Sequence, residues 1–294
     1  SCLFYTVCSV STVIANKYIS YGMPIEVKEN IPDMMVILIQ CFIAVVMVEF
    51  ARYMKWVDYA PMNIETAKSW LPVNILFIGM LCSSFICFIY VSVPMITIFK
   101  NLTNLVTVAG DWYFFNEKSS WLTIASILTM TFGAILAGMN DLEYNLIGYI
   151  WMAINCLLTA GYTLYMRYAT NNIKLTKFGM VYYNNLLSTI ILSIICLLKG
   201  DFHTILNPQI LTKQFILSTF IAGICGFNLN FASLWCISST SATTYAIIGS
   251  LNKIPVTLMG FYLFNAKMTN NGVLFICIAT LGGFLFAYSK FTKS

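Results

Sequence analysis

The chain has 294 residues, of which 59% are hydrophobic and 9% charged, with a mean hydropathy of +0.80 and a formal net charge of +5 at pH 7. An ordinary soluble domain carries roughly 25% charged residues, so this composition excludes a water-soluble fold and, with it, most soluble enzyme classes. The sixteen basic residues are spread along the chain, which excludes a nucleic-acid footprint and leaves them the task of setting membrane topology.

Apolar runs of about 20 residues, the length that crosses a bilayer, recur from one end of the chain to the other. They predict ten spans, at 1–21, 33–53, 71–91, 94–115, 121–139, 146–167, 178–199, 213–237, 242–264 and 272–289. The expected fold is therefore an all-α polytopic membrane protein, with residues 1–294 forming a single membrane transporter domain. The first run lacks a basic flank and a small-residue cleavage site, so it reads as a helix and not as a secretory signal. With the amino terminus in the cytosol, that side collects nine basic residues, Arg52, Lys55, Lys68, Lys118, Arg167, Lys174, Lys177, Lys290 and Lys293. The opposite side has four, Lys28, Lys199, Lys213 and Lys267, and this imbalance predicts that both termini are cytosolic.

The ten cysteines lie in or beside apolar runs, without CxxC spacing, and the single histidine, His203, is in a polar loop. They read as small core residues; neither a metal site nor a cofactor is expected. Lys17, Lys100 and Lys253 fall inside spans. Lys17 is close enough to a helix end to snorkel to the headgroups, whereas Lys100 and Lys253 sit deeper, where a cation costs about 2.5–3.5 kcal/mol on insertion scales. Two readings follow: a structural ion pair, for example of Lys100 with Asp111 or Glu49, or a wet site for an anionic ligand.

Thr97–Glu117 can be laid over Ala246–Ala266 at an offset of 149 residues, half the chain, matching Ile98 with Ile247, Leu102 with Leu251, Tyr113 with Tyr262, Phe115 with Phe264 and Asn116 with Asn265. The fourth and ninth spans thus look duplicated. Five spans per copy is an odd number, so the second copy enters the membrane upside down, giving two inverted repeats, about 1–140 and 141–294, with a site near the midplane between them. The same offset pairs Lys100 with Gly249 and Asn104 with Lys253, which share a helical face in each copy by their i, i+4 spacing.

Amide-rich stretches interrupt three spans: Ile98–Asn104 (IFKNLTN), Tyr182–Leu186 (YYNNL) and Thr243–Pro255 (TTYAIIGSLNKIP). Adjacent Asn184 and Asn185 point about 100° apart, so at most one faces another helix comfortably while both can reach a cavity. Interhelical glue is one reading. The other is recognition of a purine edge by amides that both donate and accept, with a lysine as a point charge for phosphate and Gly249 and Ser250 allowing close approach.

On these residues the chain resembles the nucleotide-sugar transporters of the drug/metabolite transporter superfamily, most closely the GDP-mannose transporters. Their signatures FYNNV and GALNK stand here as YYNNL (Tyr182–Leu186) and GSLNK (Gly249–Lys253), accompanied by Thr243–Tyr245, Phe99–Thr103 and the pair Asn16 and Lys17. The resemblance implies that Asn184 and Asn185, with Tyr183 beside them, read guanine, and that Lys253, with Lys100, holds phosphate. It places Tyr245, Gly249, Ser250, Asn252 and Tyr5 around the sugar. Where relatives carry a serine near the base, this chain places Asn230. The implied activity is antiport of GDP-mannose into the Golgi lumen against GMP, with no covalent chemistry. A UDP-sugar or phosphorylated-sugar carrier on the same fold is the alternative, as is the endoplasmic reticulum for location; an intramembrane enzyme is remote, because no HExxH or catalytic dyad is present. The expected partners are GDP-mannose, GMP and membrane lipid, with a homodimer left open and nucleic acid excluded. Asn101, in an Asn-Leu-Thr pattern within a span, is expected to stay unglycosylated.

Overall fold

Short polar residues mark where helices begin. Asn63, Ser120, Asn145 and Thr176 each stand before a helix, and each side chain accepts a hydrogen bond from a backbone N–H two or three residues on, satisfying one of the donors a helix start leaves open. The computed structural model describes residues 2–19, 32–59, 62–116, 119–173, 175–205, 211–239, 252–264 and 269–291. Among these the architecture is helical: α1 (Cys2–Lys17), α2 (Asp33–Tyr53), α3 (Ile64–Tyr90), α4 (Val93–Phe99), α5 (Leu102–Phe115), α6 (Trp121–Met139), α7 (Leu146–Asn172), α8 (Lys177–Lys199), a short α9 (Asp201–Ile205), α10 (Lys213–Ser239), α11 (Lys253–Phe264) and α12 (Asn270–Phe291).

Six of these helices contain stretches long and apolar enough to cross a membrane, namely Met34–Tyr53, Ile64–Tyr90, Trp121–Met139, Leu146–Met166, Phe178–Lys199 and Lys213–Ala232. On α6, Trp121, Ile124, Leu128, Phe132, Ile135 and Met139 recur at three- and four-residue spacing and are all exposed. Such a stripe is unstable in water and suited to lipid, while the opposite face of the same helix buries Ile127, Met130, Ala134 and Ala137. The protein is a multi-pass membrane protein.

Helices pack in recurrent pairs: α1 with α10, α2 with α8, α3 with α7, α4 with α11 and α6 with α12, with further contacts of α2 with α10 and α3 with α8. Small residues set the closest approaches. A Cβ built on Gly133 of α6 would lie 2.7 Å from the backbone nitrogen of Ala279 on α12, and one on Gly260 of α11 would lie 2.9 Å from Pro94 on α4. Gly133→Ala is therefore expected to force α6 and α12 apart at a cost of about 1–3 kcal/mol, read as a lowered Tm of the purified protein; an unchanged Tm would show that the seam tolerates the methyl group.

The fourth predicted span, 94–115, is two helices and not one. α4 stops at Phe99 and α5 starts at Leu102; between them the Asn101 N–H bonds to the Ile98 carbonyl at 2.9 Å and the Asn104 N–H to the Asn101 carbonyl at 3.0 Å, tightened three-residue steps. Apolar stretches flank the break on both sides, so a span-length hydropathy average bridges it, and the polar cluster Lys100, Asn101, Thr103 and Asn104 is its mark in the sequence. Asn101 is itself buried at the joint. The third span also starts earlier than its predicted boundary at 71, with Pro72 accommodated inside α3.

Lys17 overturns its reading as a snorkelling residue. It is 4% exposed, and its ammonium donates to the carbonyls of Phe88, at 2.6 Å, and Val91, at 2.8 Å. These carbonyls belong to the end of α3, where unpaired acceptors and the negative pole of the helix dipole favour a cation. Buried oxygens hold Lys17 more effectively than a headgroup several residues away.

Candidate functional site

A cavity of about 300 Å³ opens between α1, α2, α3, α8 and α10 and reaches Lys100 at the break between α4 and α5. Along α3 its wall runs from Phe77 through Met80, Leu81, Ser84 and Phe85 to Phe88, a stretch of about 16 Å at 1.5 Å per residue. Its polar groups come from Thr12, Asn16, Gln40, Ser84, Lys100, Asn185 and Asn230, set in an otherwise apolar lining.

Lys100 is the charged member. Near it lie the thiols of Cys87 and Cys156. Among the described residues no carboxylate pairs with it; Glu49 pairs with Arg52 at 3.9 Å. The ion-pair reading of Lys100 with Glu49 or Asp111 is thus not what the fold builds. Lys100 lines the cavity at the helix break, and among the described residues no hydrogen bond or ion pair engages its ammonium.

The adjacent asparagines divide their tasks. Asn184 points away from the cavity: its Oδ1 accepts from Trp70 Nε1 at 2.9 Å, its Nδ2 donates to the Tyr162 hydroxyl at 3.0 Å, and its backbone carbonyl accepts from Asn74 at 2.8 Å. It ties α8 to α3 and α7. Asn185 lines the cavity; its Nδ2 donates to the Val181 carbonyl at 2.8 Å, and among the described residues no hydrogen bond occupies its Oδ1. Asn230 of α10 lines the same cavity. Tyr183 does not: it is 1% exposed, and its hydroxyl accepts from the Asn63 N–H at 2.8 Å, fastening α8 to the start of α3.

Of the remaining sequence-predicted residues, Asn252 is buried immediately before α11, and neither its Nδ2 nor its Oδ1 has a hydrogen-bond partner among the described residues. A buried amide left unpaired in this way costs free energy until something bonds it. The backbone places Lys253 at the first position of α11, the helix that packs on α4 just ahead of Lys100. Tyr5 is on α1, eleven residues before Asn16, about 16 Å along the helix, and is not among the residues lining the cavity. Tyr245, Gly249 and Ser250 lie outside the described residues. Gln40 and Ser84 line the cavity without having been singled out in the sequence; the signal was a lone glutamine in the middle of one apolar span and the adjacent serines Ser83 and Ser84 in the next.

Comparison with known proteins gives a consistent picture. The family described as the Triose-phosphate Transporter family matches residues 1–287. Curated relatives include a GDP-mannose transporter of Arabidopsis thaliana, 32% identical over 301 residues and spanning 98% of this chain and 87% of that one. A GDP-mannose transporter of Aspergillus fumigatus is 30% identical over 313 residues, with coverage of 99% and 80%. One of Kluyveromyces lactis is 30% identical over 304 residues, with coverage of 98% and 89%. A solved crystal structure shares the fold at a TM-score of 0.56 and 12% identity, covering 97% of this chain and 98% of that one.

Proposed function

This chain belongs to the Triose-phosphate Transporter family, and from that premise we propose that it is a nucleotide-sugar antiporter that carries GDP-mannose into the Golgi lumen and GMP back by alternating access. The observation that carries the reading is a cavity lined by Lys100, without a carboxylate partner among the described residues, and by the amides of Asn185 and Asn230. Similarity to proteins named GDP-mannose transporters over nearly the whole chain supports the choice of solute.

Ten spans arranged as two inverted repeats give the mechanism its symmetry. Counting α4 and α5 together as span four, and exchanging spans one to five with six to ten, the contact of the first span with the eighth becomes that of the sixth with the third. The second–seventh, fourth–ninth and fifth–tenth contacts map onto themselves, and second–eighth maps onto seventh–third. All of these contacts occur, as a pseudo-twofold axis requires. Thr103 and Asn252, separated by the same 149 residues, are both buried, which fits equivalent positions in two copies.

In this account the Asn185 and Asn230 amides meet the base edge, Lys100 and Lys253 bind the phosphates, and Tyr245, Gly249, Ser250, Asn252 and Tyr5 lie toward the sugar. Asn184 and Tyr183 contribute by holding α8 in place so that Asn185 faces inward. No bond is made or broken. The empty carrier must move cations through a low-dielectric barrier, and the desolvation cost couples reorientation to the presence of a nucleotide, which makes the exchange obligatory. Both termini face the cytosol, following the distribution of basic residues. A phosphorylated sugar carried on the same fold would use the lysines but leave both cavity amides without a base to read.

Thermal stabilisation of the purified protein tests the choice of base. A ligand at 100 times its Kd adds about 2.7 kcal/mol, so GMP and GDP-mannose should raise Tm and UMP and UDP-sugars should not. Equal shifts for guanine and uracil nucleotides would refute the guanine assignment.

A further inference from the structure

A hydroxyl side chain inside a helix commonly turns back on its own backbone and donates to the carbonyl four residues earlier. Ser83, Ser126, Thr159 and Thr189 all do so, at 2.6–2.8 Å. Ser84 of α3, which lines the cavity, makes no such bond among the described residues. Its own acceptor would be the Met80 carbonyl, and that oxygen accepts instead from Asn155 Nδ2 of α7 at 3.0 Å and from Ser83 Oγ at 3.2 Å. Asn155 is buried, and its Nδ2 also reaches Ser84 Oγ at 3.3 Å. Ser84 thus accepts a hydrogen bond from behind without giving one, and its O–H is left to donate.

The same seam between α3 and α7 carries Lys100. Cys156, next to Asn155, donates from Sγ to the carbonyl of Phe99 at 3.3 Å, one residue before Lys100. Lys100 in turn lies near the thiols of Cys156 and of Cys87, and Cys87 is three residues beyond Ser84 on the same face of α3. A hydroxyl donor and an ammonium therefore enter one end of the cavity side by side, and no carboxylate pairs with either among the described residues. The base end is elsewhere. Asn185 follows Asn184, whose carbonyl accepts from Asn74, ten residues before Ser84 on α3, or about 15 Å along the helix.

Resting on the nucleotide-sugar reading, we propose that Ser84 binds the phosphate of the transported nucleotide. Its hydroxyl donates to one phosphate oxygen while Lys100 bonds another, and Asn155 is the positioning residue that keeps the hydroxyl from turning back on α3. A lysine alone is a point charge on a flexible stem, with no preferred orientation for its ligand. A hydroxyl fixed beside it gives the phosphate a direction as well as a charge.

The test measures Kd of the purified protein for GMP, for GDP-mannose and for guanosine, which has the same base and ribose without the phosphate. Ser84→Ala removes only the hydroxyl and favours a helix. Its Kd for GMP and GDP-mannose is expected to rise about 10-fold, the loss of a hydrogen bond to a charged group, with Kd for guanosine unchanged. Asn155→Ala frees the Met80 carbonyl for the Ser84 hydroxyl and should move the GMP-to-guanosine ratio in the same direction, which loosened packing alone would not do. An unchanged Kd for GMP in Ser84→Ala would overturn the proposal, as would an equal rise for GMP and guanosine. Because each ratio is taken within one variant, partial loss of fold, seen as a lowered Tm without ligand, affects both ligands alike. If the unaltered protein binds neither GMP nor GDP-mannose, the nucleotide reading itself fails; GMP binding that is indifferent to Ser84 removes this residue alone.

Discussion

Replacing Lys100 with Met is expected to abolish measurable exchange of GDP-mannose for GMP while leaving the unliganded protein at least as heat-stable as before. The two halves of this result have one cause. Lys100 faces a cavity with no carboxylate partner among the described residues, so in the empty protein its charge is a burden that an unbranched apolar side chain of similar length removes. In the proposed complex the same charge gives charge-assisted hydrogen bonds to phosphate, each worth about 1.5–3 kcal/mol, so the loss of one of them weakens binding roughly 10- to 150-fold and the loss of two more than 100-fold. Exchange within about twofold of normal would remove Lys100 from the phosphate site. A Tm lowered by several degrees would instead make it a structural cation. Lys253→Ala should likewise abolish exchange, since the proposed reading gives it a share of the phosphate.

Lys17→Met should behave in the opposite way. Here the ammonium already has protein partners, donating at 2.6 and 2.8 Å to the two carbonyls at the end of α3. Removing it leaves those acceptors buried and unpaired at the negative end of the helix. A destabilisation of about 2–4 kcal/mol is expected, a fall of roughly 5–10 °C in Tm, with GMP affinity per folded molecule nearly unchanged. A normal Tm with weakened GMP binding would move Lys17 from the scaffold to the site. Two lysines that look alike as isolated charges in apolar spans thus separate by what they touch.

The sequence distinguishes these lysines only in part. Lys100 stands among amides in KNLTN, and that cluster signals a polar interruption. The break itself is invisible to hydropathy, because Val93–Phe99 and Leu102–Phe115 are both apolar. The partners of Lys17 are backbone carbonyls 71 and 74 residues away, which no side-chain pattern encodes. For Asn184 and Asn185 the helical geometry requires that they diverge. Which one turns inward is decided by Trp70, Asn74 and Tyr162 on other helices, and Asn184 becomes the tie while Asn185 remains for the cavity. Gln40 escapes notice for a similar reason: a single polar residue in a span reads as glue until its neighbours are known. The spans of α2 and α8, by contrast, are legible almost residue for residue, since composition alone fixes where a helix must cross lipid.

The central claim, obligatory exchange of a guanine nucleotide sugar for its monophosphate, is tested most directly by uptake of labelled GDP-mannose into proteoliposomes loaded with GMP, with UMP or with buffer alone. The account predicts rapid uptake only into GMP-loaded vesicles, on the order of 10-fold or more above the other two. Uptake that is equal with UMP inside, or equal into empty vesicles, would contradict it.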